Sequence, residues 1–239
     1  KIMSGKTATI IGATGMIGTY LQQALIHDDY FETVRLIVRR PIPNPHDKIE
    51  IKLVNFDDAD SVKLALEGTD VIFCAMGTTM KNVKGDKVLY RKIDLDIPVK
   101  VARFAKEAGC ENFVLVSSVG ANPKSRTFYL RLKGELEEAL QAIDFRYLNI
   151  MRPSVLLGER KEDRSGEQTM QGSMKFLSRF FFGSWKKYKA IPGETVARAM
   201  IASSKMDSPG TYIATYDMIN KLGMQQSQAS ARPIRKEHG

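Results

Sequence analysis

Thr7-Ala8-Thr9-Ile10-Ile11-Gly12-Ala13-Thr14-Gly15-Met16-Ile17-Gly18 is the stretch that decides how this chain folds. A short apolar run, Thr7 to Ile11, leads directly into three glycines, and helical apolar spacing takes over from Met16 to His27. A strand, a tight turn and a helix in that order open a βαβ unit. Gly12 permits the sharp turn, Gly15 lets backbone amides approach a pyrophosphate, and Gly18 lets the helix pack closely on the sheet. Thr14, Gly15, Met16 and Ile17 form the start of that helix, where free amides and the helix dipole favour phosphate. The spacing is GxxGxxG rather than GxGxxG. Its position after a first strand, more than the glycines themselves, points to dinucleotide binding.

The same alternation continues outward. Apolar strand candidates lie at Val34–Val38, Ile49–Val54, Asp70–Met76, Asn112–Val116 and Leu148–Met151. Helical patterns at Asp60–Glu67, Asp94–Ala108 and Arg126–Ile143 alternate with them. Strands joined through helices require crossovers, so the expected class is α/β: a three-layer, doubly wound, mostly parallel sheet in the order 3-2-1-4-5-6. Beyond Arg152-Pro153 the pattern loosens. Leu157–Gly172 reads as a loop, Met174–Phe182 and Glu194–Ser204 as helices, and Thr211–Ile219 as a last strand. The expected organisation is a leader at 1–6 and a single nucleotide-binding unit at 7–219. That unit includes a small substrate lobe at about 158–219, and a frayed basic tail at 220–239 follows.

Composition sets limits. The 239 residues are 43% hydrophobic and 26% charged, which is globular composition, and no run of about 18 apolar residues is present to span a membrane. Residues 1–6 carry no apolar signal stretch. Cys74 and Cys110 sit in apolar runs without CxxC spacing, and His27, His46 and His238 are scattered, so no zinc ligand set is expected. Reduced buried cysteines suit a cytoplasmic protein. The net charge is +9, of which the tail beyond Asn220 contributes +3 and Lys1 with Lys6 contributes +2. With no aromatics interleaved among the tail's charges, a solvated tail is favoured and no nucleic-acid partner is expected.

Two further pairs carry chemistry. The second strand ends in Arg39-Arg40, where an NAD site usually shows an acidic residue; two guanidinium groups there suit the 2′-phosphate of NADP(H) instead. In the helix after the fifth strand, Tyr129 and Lys133 stand at i and i+4, so phenol and ammonium can meet one ligand. A nearby ammonium favours the phenolate and readies it for proton transfer, and the lysine can also hold ribose hydroxyls. Ser117-Ser118 closes the fifth strand, and strand alternation turns only one of the two hydroxyls toward a site.

Taken together, Gly12–Gly18, Ile37–Arg40, Ala75–Thr79, Leu115–Ser118, Tyr129–Glu135 and Arg152–Leu157 resemble the atypical NAD(P)-binding branch of the short-chain dehydrogenase/reductase superfamily, specifically its TIP30 group of oxidoreductases. The resemblance runs from about Ala8 to Ile201. It implies that Thr14, Gly15 and Met16 meet the pyrophosphate, Arg39 and Arg40 the 2′-phosphate, and Met76 with Gly77 the cofactor. It also implies that Tyr129 is the proton donor or acceptor beside Lys133, and that Leu156 and Arg164 touch the cofactor after the sixth strand. Departures lie after the third strand, where Asn55-Phe56 precede Asp57 in place of an acidic adenine contact, and at Val119, which follows the serine pair.

The function expected is an NADPH-dependent carbonyl reductase or alcohol dehydrogenase acting on a small-molecule substrate, with Ser117 or Ser118 bonding the substrate oxygen. Two rivals stand beside it: an NADPH-binding regulatory or sensor protein, with a protein partner, and an epimerase-like enzyme that returns its nucleotide unchanged. Phe176, Phe180, Phe181, Phe182 and Trp185 form a core or a pocket wall, and Lys186, Lys187 and Lys189 a solvated loop or an anion contact.

Overall fold

The computed structural model describes residues 5–44, 46–154, 156–157 and 189–230. Among them the elements are β1 (Lys6–Ile11), α1 (Met16–Leu25), β2 (Phe31–Val38), β3 (Ile49–Leu53), α2 (Ala59–Leu66), β4 (Val71–Cys74), α3 (Lys87–Arg91), a π turn (Lys92–Asp96) and α4 (Ile97–Glu107). Then come β5 (Asn112–Val116), α5 (Phe128–Ala142), β6 (Tyr147–Met151), β7 (Leu156–Leu157), β8 (Ile191–Pro192), α6 (Gly193–Ser204), β9 (Gly210–Ala214) and α7 (Tyr216–Ser230).

The main sheet is parallel throughout, in the order β3-β2-β1-β4-β5-β6-β9, which is the doubly wound order with a seventh strand added beyond β6. Alternation along each strand divides the core into two layers. Ala8, Ile10, Leu36, Phe73 and Val114 face α1 and α6, while Ile11, Ile37, Ile72, Cys74, Phe113 and Leu115 face α2, α4 and α5. With both faces covered, the strands read as continuous apolar runs. Each fully buried Phe31, Phe73 or Phe113 contributes about 1.5–3 kcal/mol of transfer free energy.

The C-terminal part differs from the sequence expectation. Thr211–Ile219 is not one strand: pairing with β6 ends at Ala214 and a helix starts at Tyr216. That helix continues through Ser230, past Asn220, where a frayed tail was expected. Its buried Ile219, Leu222 and Gln226 recur at three- and four-residue spacing, a helical stripe diluted by Gln and Ser. α6 packs on α1 and β9 extends the main sheet, so these residues complete the nucleotide-binding body. Arg164, Phe176, Phe180, Phe181, Phe182, Trp185, Lys186 and Lys187 lie outside the described residues, as does most of the expected lobe.

The helix expected from Asp94 starts earlier, at Lys87, where the Asp86 carboxylate accepts from the N–H groups of Val88 and Leu89. It widens into the π turn just before Pro98. Pro98 has no N–H to give the Asp94 carbonyl, and its ring crowds that carbonyl, so one turn must open there. Asp94 is carried inward, to 1% exposure.

Among the described residues no helix is long and apolar enough to cross a membrane, and no cluster of three metal-ligating side chains occurs. Cys74 and Cys110 are free and buried, and burial pushes both thiols up to about 11. Thiol titration of the folded protein at pH 8 should therefore find neither cysteine quickly, and both should react once the chain is unfolded. Rapid labelling of the native protein would contradict this packing.

Candidate active site

The glycine turn has the shape that phosphate binding requires. Gly12 sits at φ +81°, and a Cβ there would lie 2.6 Å from the carbonyl carbon and oxygen of Ala75, at the end of β4. A Cβ on Gly18 would fall 2.2 Å from the Gly12 carbonyl oxygen. Both positions are closed to any side chain by backbone, which does not yield as a flexible side chain can. Gln22 Nε2 donates to Ala13 O at 2.7 Å and holds the turn from within. Thr14 and Gly15 are exposed and Met16 is half-buried, whereas Ile17 is buried in the core. Gly15 caps α1 with extended backbone and no side-chain bond, so the amides of the first turn face outward as donors. A pyrophosphate fits this cradle.

At the end of β2, Arg39 and Arg40 are exposed. Arg39 forms one wall of a cleft of about 550 Å³, whose other walls include Asn55, Phe56, Ser61, Leu89 and Ile93. Its size and its mixture of apolar and amide groups suit a nucleoside. Phe56 is buried, and its carbonyl accepts from Lys100 Nζ at 3.0 Å. Asn55 Oδ1 accepts from the Asp57 N–H, which turns the chain past the cleft. The Lys92 ammonium, 2.7 Å from Asp57, holds that carboxyl below its ordinary value.

On α5 the tyrosine and lysine occupy different depths. Tyr129 is 38% exposed, while Lys133 is 3% exposed, with its Nζ 5.9 Å from the Tyr129 ring centroid. Lys133 Nζ lies 3.1 Å from Asp94 Oδ2, and Asp94 Oδ1 accepts from the Thr78 N–H at 2.7 Å. Burial disfavours the ammonium, yet the Asp94 carboxylate and the Tyr129 phenol hold its pKa above the usual lysine value. Gly77 faces the same carboxylate, since a Cβ there would lie 3.7 Å from Asp94 Oδ2. The structure thus brings Met76, Gly77, Tyr129 and Lys133 to one end of the sheet, and Asp94 joins them.

The serine pair divides as alternation requires. The Ser117 hydroxyl donates to Glu137 Oε1, and Glu137 also receives Arg152, whose Nε lies 3.0 Å from Oε1. Glu137 is 2% exposed, and its bonds raise the pKa of the Arg152 guanidinium further. Ser118 Oγ donates to Val119 O at 3.3 Å. Leu156 is half-buried on β7 against the α1 side of the core.

Asp94, Thr78, Glu137 and Arg152 also shape this end of the sheet, through contacts with other residues that no ligand-facing motif marks. The run Ile93-Asp94-Leu95-Asp96-Ile97 carries the available signal: of its two carboxylates the buried one, Asp94, needs a partner, and Lys133 is the cation on a neighbouring helix.

A family profile described as NAD(P)H-binding matches residues 12–205. The chain is 36% identical over 216 residues to Protein HTATIP2 of Rattus norvegicus, covering 87% of this chain and 84% of that protein. This chain belongs to the NAD(P)H-binding family, among the relatives of HTATIP2. Within the same group it is 37% identical over 201 residues to Protein FMP52, mitochondrial, of Debaryomyces hansenii, covering 82% of this chain and 86% of that one. That fungal name does not match a plain cytoplasmic placement. Of solved structures, UDP-N-acetylglucosamine 4-epimerase from Methanobrevibacter ruminantium superposes with a TM-score of 0.66 at 19% identity, covering 97% of this chain and 84% of that one. At that identity the likeness speaks for the Rossmann fold alone. As a member of this family the chain has a small nucleotide ligand, a nicotinamide cofactor, which agrees with the cradle at Gly12–Gly18.

Proposed function

We propose that this protein is an NADPH-dependent oxidoreductase interconverting a carbonyl and an alcohol, with Tyr129 as its proton donor and acceptor. The carrying observation is the stacking of an exposed Tyr129 over a buried, charged Lys133 beside the Met76–Thr78 loop. Thr14, Gly15 and Met16 would meet the pyrophosphate at the helix N-terminus, the Gly15 N–H itself being given to the Gly12 carbonyl at 3.1 Å, with Arg39 and Arg40 on the 2′-phosphate and Asn55 and Phe56 at the adenine. The bound cofactor would supply the hydride. Tyr129 Oη would give its proton to the substrate oxygen in reduction and take it back in oxidation. Lys133 would hold the ribose hydroxyls and stabilise negative charge at the phenol. Of the two serines, Ser118 is the better candidate for the substrate oxygen, because the proton of Ser117 is held by Glu137.

The Arg39→Ala/Arg40→Ala double variant tests the cofactor assignment. NADPH affinity should fall by roughly 10- to 100-fold, as charge-assisted bonds to phosphate are lost, while NADH affinity stays nearly constant. Equal loss for both cofactors would show that these arginines do not read the 2′-phosphate.

A second reading, an NADPH-binding regulatory protein without turnover, has one observation in its favour. Both serine hydroxyls at the end of β5 are bonded to acceptors within the protein. The exposed Tyr129 weighs against it, since a sensor has no need of a proton donor.

A further inference from the structure

We propose that Asp94 is a positioning residue of this site, fixing the Lys133 ammonium and the Met76–Thr78 loop to each other as one unit. The inference rests on the oxidoreductase reading for its catalytic meaning. Its geometry stands without it.

The two oxygens of this carboxylate have different jobs. Oδ1 accepts from the Thr78 N–H at 2.7 Å, and Oδ2 lies 3.1 Å from Lys133 Nζ. The Thr78 peptide is gripped on its other side as well, where Tyr90 Oη donates to the Thr78 carbonyl at 3.1 Å. Tyr90 lies on α3 and Asp94 one turn later in the π segment, so a single helix holds both backbone polar groups of that residue. The loop after β4 and the catalytic helix α5 therefore meet through one buried side chain. The π turn is what delivers it, and π turns recur where a helix must aim a side chain at a functional site. A free lysine on α5 would be expected to reach for solvent with its long stem. Here its side chain is 4% exposed and that of its partner 1%, so the ammonium is committed to one place.

The groups that act on Lys133 come from three elements: Asp94 from the π turn, Tyr129 from its own helix and Cys74 from β4. Cys74 is a protonated thiol at neutral pH, being pushed up to about 11, and adds no charge there. Asp94 is then the only counter-charge among these groups at neutral pH, and it makes Lys133 a fixed cation rather than a mobile one.

The test uses the full chain with ¹³Cε-labelled lysine, the Lys133 resonance being assigned by its loss in Lys133→Met. Asp94→Asn keeps an acceptor oxygen for the Thr78 N–H but removes the charge. In the protein without cofactor, the Lys133 titration midpoint should fall by about one pH unit or more, because the largest influence opposing burial is then gone. NADPH affinity of the same variant should decline with pH across this lower midpoint, while the wild type holds its affinity to higher pH. Asp94→Glu keeps the charge at a longer reach. It should leave Lys133 charged yet weaken NADPH binding by about tenfold, since the ammonium and the loop no longer sit in register. An unchanged Lys133 midpoint in Asp94→Asn would overturn the proposal. If that variant does not fold, wild-type NADPH affinity in Asp94→Glu would overturn it. Should the wild type bind no NADPH, the cofactor reading fails, while the Lys133 midpoint in the unliganded protein still decides the role of Asp94.

Discussion

Gly18→Ala is expected to abolish most nucleotide binding while leaving a folded but weakened protein. The added Cβ would lie 2.2 Å from the Gly12 carbonyl oxygen and 2.7 Å from Ala13 Cα, both backbone atoms. No rotamer change relieves that overlap, so the turn itself must move. Overpacking of this kind costs about 1–3 kcal/mol, which in a chain of this size lowers Tm by roughly 3–10 °C. Binding suffers more than stability, because the displaced turn is the one whose amides would meet the pyrophosphate. NADPH affinity should drop on the order of 100-fold, an amount equivalent to about 2.7 kcal/mol. Gly68→Ala is the control. Gly68 also sits at positive φ, +66°, yet nothing lies within 4 Å of its Cβ direction. It should lose about 1 kcal/mol to backbone strain and keep its NADPH affinity. Calorimetric titration of both variants separates the outcomes. Wild-type affinity in Gly18→Ala would mean that the glycine turn does not carry the phosphate.

The same turn shows why the fold was legible in the sequence. Thr7–Gly18 specifies strand, turn and helix with apolar spacing and with Gly12 and Gly18 at positions where only glycine fits, so local and global requirements agree. The strands buried on both faces, such as Val71-Ile72-Phe73-Cys74, are visible as unbroken apolar runs. At the C-terminal end the signal is diluted. Helix α7 hides its stripe among Gln, Ser and Asn, and at Thr211–Ile219 the apolar run continues across a change from strand to helix at Thr215.

The candidate site was legible only in part, for a related reason. Motifs announce residues that face a ligand, as Tyr129 and the glycines do. Residues that face other residues announce themselves only through pairing across long sequence distances. Asp94 meets Lys133 from another helix, and Glu137 meets both Ser117 on the β5 side and Arg152 after β6. Each is a buried carboxylate whose charge must be matched, and each match is made by tertiary contact. Lys133 is buried against Asp94 of the π turn, 3.1 Å from its Nζ, while Tyr129 on the same helix is exposed. Spacing of four along α5 gives one face but not two depths.

That difference in depth sets the expectation for Tyr129→Phe. The phenol is 38% exposed, so removing its hydroxyl disturbs no buried network. Phenylalanine keeps the ring that faces Lys133 Nζ at 5.9 Å, and the Asp94–Lys133 pair below is untouched. Tm and NADPH affinity should therefore stay close to those of the wild type. Turnover should not. Loss of a positioned proton donor costs about 10²- to 10⁴-fold in rate, because the developing alkoxide must then take its proton from water. The measurement is loss of reduced-nicotinamide absorbance across a panel of aldehydes and ketones, wild type against variant, at matched cofactor occupancy. Full activity in Tyr129→Phe would move the proton donor elsewhere, with Ser118 the next group to vary. A wild type that binds NADPH tightly and oxidises it with no member of the panel would favour the regulatory reading. In that case the Tyr129 hydroxyl would be judged by whether its removal changes the affinity for a protein partner.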